Sequence, residues 1–288
     1  MGNANDWLGP WSPIFISAAF AVLLALETVF PLRKRKLPRA GRYAVNAAMT
    51  ALVFAAGGTV VRAAGLGLAG WAESSRFGLL HLFSLPSPAG PVLGFLLMDL
   101  SFYYWHRANH EWPLLWRFHN VHHSDPDMDV TTSFRFHIVE VLYSTAFRAA
   151  QVLAIGVSPL TYAVYELAFT CETAFHHSNL RLPVRVERPL NMFIVTPRMH
   201  GIHHSTVIEE ANSNYSTVFR WWDLLHGTLD VGVMQSDVVI GVPGYALPGD
   251  NHFKALMLAP FKRQRDYWRL PDGTRPGRAA HSAGPMHG

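Results

Sequence analysis

Residues 91–123 read PVLGFLLMDLSFYYWHRANHEWPLLWRFHNVHH, and the change of character at residue 106 decides the fold. From Pro91 to Trp105 the only charge is Asp99, and the run leads directly into His106 and His110. On a helix that continues past Trp105, His106 and His110 are four residues apart and point the same way. Asp99 and Tyr103 share that stripe. An ionisable residue inside an apolar helix is costly and usually functional, so Asp99 is read either as an acceptor for the N–H of a ligating imidazole or as a polar contact between helices.

Working outward, His119-Asn-Val-His122-His123 has a second copy in His200-Gly-Ile-His203-His204, and the pair His176-His177 lies between them. Eleven of the sixteen histidines fall between residues 106 and 204; the others are His81, His226, His252, His281 and His287. Neutral imidazole is the commonest metal ligand in proteins. In each His-x-x-His-His, the first histidine shares a helical face with both the second and the third, so one turn can serve two neighbouring ions. His137 and Glu140 sit near the start of a later apolar segment, and Glu166, Thr173 and His177 share a stripe of another. A lone histidine is more often a satisfied structural residue, so His137 and His176 rank below the repeated ones.

Half of the 288 residues are hydrophobic, 15% are charged and mean hydropathy is above zero. Soluble domains carry about 25% charge, so the balance points to lipid. The single cysteine, Cys171, excludes an internal disulfide and a Cys-rich zinc or iron–sulfur site. Any metal must be held by nitrogen and oxygen. The net charge of +4 suits an anionic membrane surface, and no nucleic-acid reader is recognisable.

Residues 12–31 carry one charge, Glu27, and are followed by Arg33-Lys34-Arg35-Lys36. That order is the reverse of a cleaved signal and predicts a first span whose C-terminal end is cytoplasmic. Residues 44–70 form a second apolar region, with Arg62 near the far interface, and Pro86 and Pro88 break any helix beyond it. The run 91–105 is the third. Residues 138–158 and 160–175 form a pair parted by Pro159. The predicted fold is all-α: a multi-pass membrane helical bundle of about four to five hydrophobic segments under a cytoplasmic histidine-rich helical cap. In a bacterium this would be the inner membrane. The expected divisions are 1–89 for membrane anchoring, 90–230 for catalysis, and 231–288 for a C-terminal extension whose basic end, 262–288, is disordered.

No His-Glu-x-x-His, Gly-x-Ser-x-Gly, P-loop or Gly-x-Gly-x-x-Gly is present. A zinc hydrolase needs three protein ligands, whereas about nine imidazoles suit a two-metal centre. Imidazole accepts zinc, copper, iron and nickel, so residue type leaves the metal open.

The ordered set resembles the membrane-bound fatty acid hydroxylase and sterol desaturase superfamily. Supporting matches are Arg135-Phe-His137-x-x-Glu140, Phe175-His-His177-Ser-Asn179, Thr196-Pro-Arg-Met-His200, Asn214-Tyr215 and Trp222-Asp223-Leu-Leu-His-Gly227-Thr228, over roughly residues 90–230. Ile138 stands where the family often has Pro, His176 where Gln is common, and Ser216 where Gly often follows Asn-Tyr. The resemblance implies metal ligation by His106, His110, His119, His122, His123, His177, His200, His203 and His204, and no catalytic residue beyond those ligands. Asp99, His137, Glu140, His176 and Asp223 are additional or supporting candidates, and Trp222 looks structural. It also implies two metal ions, iron in the working enzyme and zinc as an ion that a purified sample can carry. The implied reaction is O2-dependent hydroxylation or desaturation of a lipid, sterol or fatty-acyl substrate, hydroxylation being favoured. Electrons would come from an external donor of ferredoxin or cytochrome b5 type with its reductase, since no His-Pro-Gly-Gly or flavin motif appears. The competing readings are a membrane metal-binding or transport protein and a membrane zinc hydrolase. Transporters place sparse ligands at the bilayer midplane, unlike this cluster at span ends.

Overall fold

In the computed structural model, residues 4–55 and 59–278 are described. The side chain of Arg62 lies outside that description, as do His281 and His287. The described residues are helices and loops with no named strand. In chain order the helices are α1 (Ala4–Val29), α2 (Arg39–Val53), α3 (Thr59–Ser74), α4 (Ala89–Glu111), α5 (Pro113–His123), α6 (Ile138–Ile155), α7 (Pro159–His177), α8 (Val184–Asn191), α9 (Pro197–His203), α10 (Ile208–Ala211), α11 (Trp221–His226) and α12 (Phe253–Leu258).

Local chemistry sets the boundaries that matter. Pro113 and Pro197 occupy the first turns of α5 and α9, where a missing N–H costs nothing, so both histidine motifs begin from fixed starts. α6 ends at Gly156 in the left-handed region, φ 76°, and Ser158 caps α7 by accepting from the Thr161 N–H. These signals end α6 and start α7 with three residues between them, as Pro159 led us to expect. The packing of α3, α4, α6 and α7 encloses Met98, Val152, Tyr162 and Tyr165 in one apolar core.

One described helix, α6, is long and apolar enough to cross a membrane, and a shorter apolar stretch covers Pro13–Val29. The expected second segment, 44–70, falls on two helices, α2 and α3, instead of one continuous element.

Two expectations change. The basic run after α1 folds into the body. Arg33 donates to Gln235 Oε1 at 2.6 Å, Lys36 Nζ donates to the Ile240 carbonyl at 3.0 Å, and Arg35 pairs with Asp129. Residues 262–278 are mostly exposed, yet Tyr267, Trp268 and Arg278 are held against the body. Trp268 stacks on Trp116 at 5.6 Å, and Arg278 pairs with Glu210 at 2.7 Å. Composition alone suggested disorder there, but two aromatic rings find buried partners.

Candidate metal centre

The nine repeated histidines come from four elements. His106 and His110 end α4, His119, His122 and His123 end α5, His177 ends α7, and His200, His203 and His204 lie on α9 and its cap. All nine are buried. Their ring nitrogens fall into two groups, each with ligand atoms within 4.8 Å of one another. The first holds His106, His110, His119, His123 and His203; the second holds His122, His177, His200 and His204.

The motifs are therefore crossed. In both copies the first and third histidines join one group and the second joins the other. Helix geometry explains the split. The i+4 side chain lies roughly 40° to one side of residue i and the i+3 side chain roughly 60° to the other. His119 and His123 then face α4, while His122 turns toward α7. His200 and His204 face α7, and His203 turns back toward α4. The sequence placed three imidazoles on one face without revealing this division.

Hydrogen bonds fix several tautomers. The Nδ1–H of His106 donates to the Tyr215 carbonyl at 2.7 Å, and that of His203 to the Ser213 carbonyl at 2.6 Å. His177 Nδ1–H donates to the Thr173 carbonyl at 2.8 Å, and His119 Nδ1–H to Glu140 Oε1 at 2.7 Å. In the neutral ring the opposite nitrogen is then a lone-pair acceptor. His106 and His203 nevertheless place their Nε2 atoms 3.1 Å apart, and His177 Nε2 lies 3.0 Å from the Nε2 atoms of both His122 and His200. Facing lone pairs repel unless a cation lies between them. Neither ring nitrogen of His110 has a hydrogen-bond partner, and both are buried. Buried polar atoms are expensive to leave unpaired. The donor set therefore fits two nitrogen-ligated metal ions.

Burial and neighbouring imidazoles hold the residues neutral. Desolvation, then the adjacent histidines, push His122, His123, His200 and His204 well below the usual imidazole range. Burial pushes His203 down to about 3. Neutral imidazole is the ligating form.

The supporting candidates separate clearly. Glu140 accepts from His119 and so orients a ligating ring. Asp223 accepts the N–H groups of Tyr215 and Ser216, both at 2.8 Å, and so positions the carbonyl that holds His106. His137 is not at the centre: it caps α6, and its Nε2–H donates to the Met257 carbonyl at 3.2 Å. The ring of His176 lies 4.1 Å from that of His200 but belongs to neither group. Asp99 corrects an expectation. It accepts from the Val218 and Phe219 N–H groups and from Trp222 Nε1, the last at 2.7 Å, and meets no imidazole. It anchors the loop that carries Tyr215 and Asp223.

Three contributors were not visible in the sequence reading. The Tyr215, Ser213 and Thr173 carbonyls are backbone atoms, which residue type does not reveal. Glu27 in α1 accepts the N–H groups of Val130 and Asn179, at 3.1 and 2.7 Å, tying the first helix to the segments that follow the first motif and His177. Gly201 makes room for Arg33, since a Cβ there would lie 2.1 Å from its Nη1.

A cavity of about 240 Å³ opens onto His106, His119, His122, His176, His177 and His200. Its walls include Phe102, Trp105, Phe134, Phe136 and Phe169 from α4, the loop before α6, and α7. Both histidine groups thus border one largely apolar chamber.

The sequence profile of the fatty acid hydroxylase family matches residues 91–228. Ornithine lipid hydroxylase OlsE of Rhizobium tropici is 33% identical over 174 residues, covering 60% of this chain and 50% of that protein. Human alkylglycerol monooxygenase is 32% identical over 153 residues, with 52% and 33% covered. Human cholesterol 25-hydroxylase is 28% identical over 137 residues, with 46% and 48% covered. The chain spans about half the length, or less, of these relatives. No solved structure gives a significant match. The histidine order and this profile match together make residues 91–228, just under half of the chain, similar to the fatty acid hydroxylase family.

Proposed function

We propose that this protein is an O2-dependent membrane oxygenase that hydroxylates, or desaturates, an unactivated C–H bond of a lipid, sterol or fatty-acyl substrate. One observation carries the reading: two groups of buried imidazole nitrogens border a single largely apolar chamber. Five aromatic rings in its walls favour an alkyl chain over the water that a hydrolase must admit to its metal. The three relatives act, by their names, on ornithine lipids, alkylglycerols and cholesterol, which supports a lipid substrate here.

His106, His110, His119, His123 and His203 would hold one ion, and His122, His177, His200 and His204 the other. Two iron ions bound there supply the reductive activation of O2 and an oxidant able to take hydrogen from an aliphatic carbon. The protein supplies the rest. Glu140 and the Tyr215, Ser213 and Thr173 carbonyls keep protons on the Nδ1 atoms, which leaves Nε2 free for ligation. Phe102, Trp105 and Phe169 exclude water and align the chain of the substrate. Apolar α1, α4, α6 and α7 would lie in the bilayer, with the histidine ends of α4 and α7 on the cytoplasmic side. The substrate would then enter sideways from lipid.

The test is lipidomics of a host expressing this chain against one expressing His203→Ala. A species heavier by one oxygen in the first host alone indicates hydroxylation, and one lighter by two hydrogens indicates desaturation. Identical lipid profiles, with the protein present and metal-loaded, would reject the proposal.

A further inference from the structure

Cleaving O2 while oxidising one C–H bond consumes two external electrons, and the chain must receive them somewhere. Trp268 is half-buried, and its ring stacks on buried Trp116 at 5.6 Å and 18°. Trp116 in turn lies 4.9 Å from the His110 ring and 5.3 Å from the His123 ring, both in the first histidine group. Two indoles therefore join the surface to that group in continuous ring contact. Around the outer indole, residues 262–275 carry five exposed cations, Lys262, Arg263, Arg265, Arg269 and Arg275, against two acids, Asp266 and Asp272. Part of that charge is paired locally, Arg265 with Asp250 and both Arg269 and Arg275 with Asp266, so Lys262 and Arg263 carry the excess positive charge.

From this juxtaposition we propose that the face formed by residues 262–275 docks an acidic one-electron carrier protein, and that Trp268 and Trp116 form the electron entry route to the first histidine group. The inference rests on the oxygenase reading above. Complementary charge steers such encounters and sets their salt dependence. Each transfer oxidises the carrier by one electron and reduces one metal ion by one, with no bond made or broken. Two transfers, with O2 and two protons, balance one hydroxylated product and one water.

A second aromatic series, Tyr104, His226, Tyr103 and Tyr215, also reaches His106 and His110. Its outer end lies by exposed Leu224 and Leu225 on α11, a surface that suits lipid and lacks the basic ring. The charged face is the one that fits a water-soluble carrier.

The test uses the full iron-loaded chain in detergent and an acidic [2Fe–2S] ferredoxin as probe. Wild-type binding should weaken as salt rises, and the double variant Lys262→Glu/Arg263→Glu should bind about tenfold more weakly with a flatter salt dependence. With ferredoxin at saturating concentration, so that any change in docking affinity is removed, Trp268→Leu should oxidise it about tenfold more slowly without O2, and Trp268→Phe should recover part of that rate. A Trp268→Leu rate equal to wild type overturns the route. Unchanged ferredoxin binding by the charge-reversed variant overturns the docking face, as does a loss confined to phosphatidylglycerol vesicles. Ferredoxin oxidation is followed without lipid turnover. Absence of lipid product with dithionite would instead sink the oxygenase reading.

Discussion

The Nε2 atoms of His106 and His203 face each other across 3.1 Å, although 97 residues separate them, and each ring donates its Nδ1–H to a backbone carbonyl. Two acceptors meet with no proton to share, an arrangement that a bound cation stabilises and an empty core would not select.

The crossed division predicts distinct single-ligand losses. His123→Ala removes a ligand from the first group, and His122→Ala removes one from the second. Each should lower bound metal toward one ion per chain and lipid oxidation by more than about 100-fold. Metal analysis by mass spectrometry, with the spectrum of the remaining ion, reads this directly. If the two variants retain the same remaining ion with the same spectrum, the division is wrong.

Glu140→Gln keeps the shape but weakens the acceptor for the His119 Nδ1–H. Metal affinity should fall about 10- to 100-fold with little change in fold. Competition with a chelator followed by circular dichroism checks both halves of the expectation. Wild-type affinity would show that the contact does not tune the ligand.

Arg42 on α2 pairs with Asp125 at 2.6 Å and also meets Asp129, both just after the first motif. Arg42→Met removes the ion pair of buried Asp125 and leaves Asp129 with Arg35 alone, and should cost about 3–5 kcal/mol. Burial opposes the Asp125 charge, but Arg42 and Arg135 outweigh it and hold that carboxyl at about 2, below 3.8. A depressed acid contributes its stability above the unfolded value and loses it as pH falls toward the folded one. Removing Arg42 raises the Asp125 value in the folded variant, so the deficit should be full near neutral pH and shrink as pH falls and that carboxyl protonates. Thermal melts from about pH 7 to pH 3 provide the comparison, and a deficit unchanged across that range would contradict it.

Thr145 on α6 lines the chamber without touching a histidine group. Thr145→Trp should fill space meant for substrate, lowering lipid oxidation about 100-fold while both ions remain bound. Lost metal would mean that the centre, not the chamber, was disturbed.

Much of the site was legible because ligand spacing on a helix is a property of residue type and number. His119, His122 and His123 announce themselves at i, i+3 and i+4. Which ion each serves depends on how α5 and α9 sit against α4 and α7, and no local pattern carries that. Asp99 shows the converse error. Its burial in an apolar helix was readable, but its partners, the Val218 and Phe219 N–H groups, lie about 120 residues away. The basic run after α1 was read for its charge, yet Arg33 and Lys36 are held by specific acceptors at Gln235 and Ile240. Residues 262–278 misled for the same reason, since composition does not report that Trp268 has a buried ring waiting for it.

The crossing of the two motifs also bears on how the protein matures. Ribosomes deliver His119, His122 and His123 long before His200, His203 and His204, yet the first group lacks a ligand until His203 emerges. The second group has only His122 and His177 until α9 exists. Neither group of imidazoles is therefore complete before α9 has emerged. Metal insertion would wait for the later part of synthesis, and a chain stopped short of residue 203 would release with both groups incomplete.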